Sequence, residues 1–127
     1  MRIVITGPPQ AGKTFLATQL AQILGIPLFH TDSVKDLDWS AASQEVSTWF
    51  DRDPAQGWII EGVTVPRALR KWHVRNPEKT VPPFDRFVYI KEPRKTLQLS
   101  GQRTMANQVW ETIKPYRQWI GERWVEL

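Results

Sequence analysis

The chain contains no cysteine. A disulfide framework, a thiolate metal site and a cysteine nucleophile are therefore excluded. Histidine is scarce as well: His30 and His73 stand far apart and make no spaced metal motif. No stretch of the 127 residues has the length and apolarity of a membrane-spanning helix, and the N-terminus opens on a strand-like run rather than a secretion signal. The expectation is a single cytoplasmic domain, residues 1–127, with no membrane partner. Neither sign of charge dominates: 17 Lys and Arg against 13 Asp and Glu leave a net +4. That balance suits an anionic ligand, a nucleotide or a nucleic acid, and equally suits solubility alone. Tryptophan is the residue in excess, with seven copies. Most are expected in the core, with one or two lining a groove where a ring would stack.

The strongest signal is Gly7-Pro8-Pro9-Gln10-Ala11-Gly12-Lys13-Thr14. It fits G-x-x-x-x-G-K-[ST], the phosphate-binding P-loop. The apolar run Arg2 to Thr6 leads in, and a helical pattern through Leu24 leads out and stops at Gly25. Strand, glycine turn and helix are the context the motif requires. In such a loop, backbone N–H groups and the helix dipole converge on phosphate oxygens. Lys13 adds a point charge for the β- and γ-phosphates, and Thr14 a hydroxyl ligand for Mg²⁺. Pro8 and Pro9 remove two N–H donors, so the cradle rests on residues 10–14.

Further strands are expected at 27–30, 58–61 and 86–91, with helices at about 40–50, 66–72, 93–103 and 107–124. Ser40 is the expected cap of the helix at 40–50, residues 74–85 read as a surface loop, and the last helix is kinked or broken near Pro115. The alternation predicts an α/β fold, a three-layer α/β/α sandwich with a parallel sheet of four to five strands. No convincing fifth strand follows residue 103, and the chain is expected to end in a Trp-rich helix. Ligands of such sheets sit beyond the carboxyl ends of the strands, where the P-loop, Asp32, Glu61 and Glu92 fall. Asp32 and Glu61 at those ends suit a magnesium site or a proton acceptor, and equally a cap or a partner for Lys13. Arginines suit the charge that spreads over a transferring phosphoryl group, with Arg67 and Arg103 the foremost candidates.

With these residues in place, the chain resembles the P-loop kinase group: the adenylate kinase-like nucleoside monophosphate kinases and their relatives. The resemblance rests on Gly7 to Thr14, on Phe29-His30-Thr31-Asp32, on Gly57 to Arg67, and on Phe87 to Ile90 followed by Leu97 to Arg103. It implies the P-loop NTPase fold, with ATP or GTP and Mg²⁺ held by Gly12, Lys13 and Thr14. It places Asp32 and Glu61 toward the acceptor and metal, Arg67 on the acceptor, and Arg103 on the donor base and phosphates. The chain departs from the group's pattern in four places. Glu61 stands where Asp is usual, two extra residues separate Gly62 from Pro66-Arg67, Lys35 replaces an arginine, and the lid shrinks to Arg103–Asn107. Small P-loop kinases once called topology-modulation proteins are similar in their compact lid and tryptophan-rich tail. Three functions stay open from sequence: a kinase of a small nucleotide, nucleoside or other hydroxylated acceptor; a nucleotide-binding regulator or weak NTPase; and a kinase of nucleic-acid ends, the least favoured.

Overall fold

The computed structural model describes residues 1–9, 11–92 and 100–127. Five strands form one parallel sheet: β1 (Arg2–Thr6), β2 (Leu28–His30), β3 (Trp58–Glu61), β4 (Arg86–Tyr89) and β5 (Trp124–Glu126), in the order β2-β3-β1-β4-β5. The helices are α1 (Lys13–Leu24), α2 (Trp39–Trp49), α3 (Val65–Arg75), α4 (Ser100–Ile113) and the short α5 (Arg117–Ile120).

Alternation along the strands builds two cores. Val4, Ile60, Phe87 and Tyr89 pack with Val46, Trp49, Leu69, Trp72, Val109 and Ile113, so α2, α3 and α4 cover one face. Ile3, Ile5, Ile59 and Val88 pack with Ala17, Leu16 and Leu20, so α1 covers the other. Both faces are covered, which is why the strands read as unbroken apolar runs. Six of the seven tryptophans sit on the three-helix side: Trp49, Trp58 and Trp72 are buried, and Trp110, Trp119 and Trp124 are partly buried against the same cluster.

Several boundaries differ from the sequence-based expectation. Asp38 caps α2 in place of Ser40, its carboxylate accepting from the Ala41 amide at 2.7 Å. Helix α3 runs on to Arg75, into the span expected to be loop. The helix expected over 93–103 lies mostly outside the described residues. The tail is where the expectation fails. Helix α4 ends at Ile113, a 3-10 turn carries Pro115, and Gly121 at φ +58° turns the chain out of α5. Residues 124–126 then form the fifth strand against β4. Its two apolar residues divide between the faces, Trp124 on the three-helix side and Val125 on the α1 side. Only three residues long and embedded in Trp-rich sequence, it gives no period of its own.

Candidate functional site

The site lies at the carboxyl ends of β1, β2 and β3. Gly7 opens the loop at φ +155°, and a Cβ there would meet the Ile90 carbonyl oxygen at 2.5 Å. The loop closes on Gly12 in the left-handed conformation, from which α1 starts. Glycine is needed at both positions, the first for close approach and the second for backbone angle. Ala11 is buried, Pro9 partly buried, and Gln10 lies outside the described residues. The Lys13 ammonium donates to the Pro8 carbonyl at 2.7 Å. Burial pushes its pKa below the ordinary lysine value, and the fields of Glu61 and Asp32 offset only part of that shift. Both expected carboxylates are therefore electrostatic neighbours of the P-loop lysine.

Glu61 follows from strand geometry. Ile59 faces α1, so by the period of two Glu61 does too, under the first turn of that helix. The Thr14 hydroxyl donates to its Oε1 at 3.3 Å. In the β2–β3 register Glu61 pairs with His30, and the His30 Nδ1 lies 2.6 Å from the same oxygen. The sequence names His30 within the Phe29–Asp32 stretch but gives it no site role. Its signal was the alternation Leu28, His30 on the α1-facing side of β2, legible only once β2 and β3 are known to be neighbours. Behind Glu61, the backbone of Gly62 packs on Thr31. A Cβ at Gly62 would fall 1.7 Å from Thr31 Oγ1, which is buried with no hydrogen-bond partner.

Asp32 sits in the 3-10 turn Thr31–Val34 that follows β2. It lines a cleft of about 380 Å³ with Lys35, Trp39, Val63, Thr64 and Met105 among the walls. Trp39 is the groove-lining tryptophan, 41% exposed. A narrower recess beyond it is lined by Arg67, Pro66, Gln108 and Val109. The Arg67 guanidinium carbon lies 5.4 Å from the Trp39 ring centre, and its Nε is buried without a partner. Arg67 thus lines the recess that adjoins the cleft across Trp39. Arg103 is exposed in the first turn of α4.

The sequence matches no family model and no curated protein. The architecture has close counterparts. Shikimate kinase from Acinetobacter baumannii, solved in complex with shikimate, aligns with TM-score 0.58 at 16% identity, over 99% of this chain and 83% of that one. A gluconokinase from Sinorhizobium meliloti 1021 aligns with TM-score 0.56 at 16% identity, over 99% and 81%. The fold is that of the small P-loop kinases. On the small P-loop kinase fold, the loop at Gly7–Thr14 stands at the end of the central strand β1, and the cleft lined by Asp32 opens beside it over β2 and β3. Among the described residues no three acidic or histidine side chains cluster into a self-sufficient metal site. The hard oxygens of Thr14, Glu61 and Asp32 nevertheless fit Mg²⁺, which binds through one or two carboxylates together with substrate phosphates.

Proposed function

We propose that the protein is a small-molecule kinase that transfers the γ-phosphoryl group of ATP or GTP to a hydroxyl or phosphate oxygen of a small acceptor. The observation that carries this reading is the placement of Asp32, which acts on Lys13 electrostatically and also lines a cleft large enough for a metabolite. The size of that cleft favours a small molecule over a nucleic-acid strand.

The loop amides and the N-terminus of α1 bind the phosphates. Lys13 leaves the Pro8 carbonyl for the β- and γ-phosphate oxygens, which restores its charge-stabilising environment. Thr14 and Glu61 would hold Mg²⁺, with Asp32 within reach of the same region; when bound, the ion supplies neutralisation of phosphate charge. For a hydroxyl acceptor, the oxygen bonds to the γ-phosphorus as the bond to the β–γ bridging oxygen breaks, and Asp32 takes the hydroxyl proton. Arg67 and Lys35 hold the acceptor, while Arg103 serves the donor side from α4. The chemistry is positioning and charge stabilisation throughout.

The test is a panel of nucleosides, nucleotides and hydroxylated metabolites, read as ADP or GDP release. Acceptor-dependent release is expected for at least one compound class. Tight triphosphate binding with slow hydrolysis that no acceptor accelerates would overturn the kinase reading in favour of a nucleotide-binding regulator.

A further inference from the structure

The buried carboxylate of Glu61 has a partner that the kinase chemistry does not require. Its side chain is 5% exposed, against 40% for His30. A carboxylate so buried needs donors. Among the described residues, the hydrogen bonds to it come from Thr14 Oγ1 and His30 Nδ1, and both end on Oε1. None of them reaches Oε2. The shorter contact, at 2.6 Å, is the histidine's. It is built into the sheet, since His30 and Glu61 are register partners on adjacent parallel strands and their side chains leave on the same face. Thr14, by contrast, must turn its hydroxyl toward a metal to serve as a ligand, and would then no longer hold Glu61.

We infer that His30 is a positioning residue for Glu61. Its ring carries a proton on Nδ1 and donates it to Oε1, which fixes the plane of the carboxylate and leaves Oε2 as the free face toward the metal region. The inference rests on the kinase reading only for what Oε2 faces. The His30–Glu61 arrangement itself belongs to the free protein.

Two readouts test it. In the free protein, a long-range ¹H–¹⁵N spectrum of the imidazole rings reports which nitrogen of His30 is protonated. A protonated Nδ1 is expected, and a bare Nδ1 overturns the inference. The second readout is the affinity for a fluorescent ATP analogue with Mg²⁺ and with EDTA, whose ratio isolates the metal's contribution. H30A is expected to lower that ratio about 10-fold or more, the usual effect of losing a partner that orients a ligand, while binding in EDTA stays within about twofold. H30N places its amide nitrogen where Nδ1 stood and is expected to restore the ratio; H30Q places it where Nε2 stood and is not. In E61Q the ratio falls, and adding H30A is expected to lower it no further, because the two act as one unit. An unchanged ratio in H30A, equal rescue by H30N and H30Q, or additive losses in the double variant would overturn the assignment. Variants are compared only after thermal melts show them folded, and the spectrum of the wild type needs no variant at all. The two readings fail separately: absence of acceptor-dependent turnover leaves the magnesium ratio and the spectrum standing, and an unmoved ratio leaves turnover standing.

Discussion

Lys13 is held at a cost to the ligand-free molecule. Its ammonium is partly buried, its pKa is lowered by that burial, and the attraction of Glu61 and Asp32 does not make up the difference. A group whose folded pKa lies below its unfolded value of 10.5 gains stability for the fold as pH rises from the folded value toward the unfolded one. Below that window the charge opposes folding. Lys13→Met should therefore raise the melting temperature of the free protein at neutral pH by a few degrees and abolish triphosphate binding. It should also remove the alkaline rise in stability. A melting temperature at or below wild type would show that the bond to Pro8 outweighs the burial. Asp32→Asn separates binding from chemistry: triphosphate affinity should stay near wild type while turnover drops about 10²–10⁴-fold. Retained turnover would assign Asp32 to the turn it occupies. The P-loop, Asp32, Glu61 and Arg67 stand out as candidates residue by residue because each is named by a local pattern, a motif or a strand end. His30 does not, because its contact is with a residue 31 positions away across the sheet. Trp39 was legible only as one of seven; its place over the cleft is a matter of how α2 packs on α3.

The elements that the sequence misreported are the ones held by aromatic packing. Strand β5 is anchored by Trp124, whose ring stacks on Phe87 at 5.1 Å and meets Tyr89 at 5.6 Å. Trp110 from α4 closes on it edgewise at 6.5 Å, and the Trp124 indole N–H donates to Glu126. Trp124→Ala should cost about 2–3 kcal/mol, below the range for a fully buried ring because the side chain is partly exposed, read by urea unfolding. A loss under about 0.5 kcal/mol would mean that the strand is held by its backbone ladder alone. At the amino end of the neighbouring strand, Asp85 ties the start of β4 to β1. Burial raises its pKa, but the Arg2 amide at 2.7 Å and the Arg2 guanidinium outweigh that and bring it below 3.8. A depressed carboxylate contributes stability that is present above its unfolded pKa and lost as pH falls through the folded value. Asp85→Asn should accordingly lose stability at neutral pH and show a shallower acid limb below about pH 4 in a pH series of melts. An unchanged acid limb would place the tie in the backbone alone.

The whole molecule is asymmetric about its sheet, with α2, α3 and α4 on one face and α1 on the other. The layer order was readable from the alternation of apolar runs and helical spacing. The strand order was not, since right-handed crossovers allow a chain of such units to add on either side of β1, and only packing chooses. If the loop, the lysine and the carboxylates act as one site, magnesium with ATP or GTP should protect the entire fold. At a hundredfold excess over Kd the gain is about 2.7 kcal/mol, visible as a concentration-dependent rise in melting temperature. Lys13→Met should show no such rise. A wild-type melt indifferent to both triphosphates would remove the nucleotide from the account.

Both sheet edges are short. Strand β2 spans Leu28–His30 and opens directly after Pro27, and β5 spans Trp124–Glu126. An exposed strand margin is a template on which other chains can polymerise, and its hazard grows with the number of unpaired backbone groups it presents in a row. Here each margin offers only three residues. At β2 a proline sits at the start of the run, and at β5 the last residue is the charged Glu126. A fully parallel sheet is slow to assemble and leaves its margins open while it does so. Margins this short limit the template that such a sheet presents to other chains.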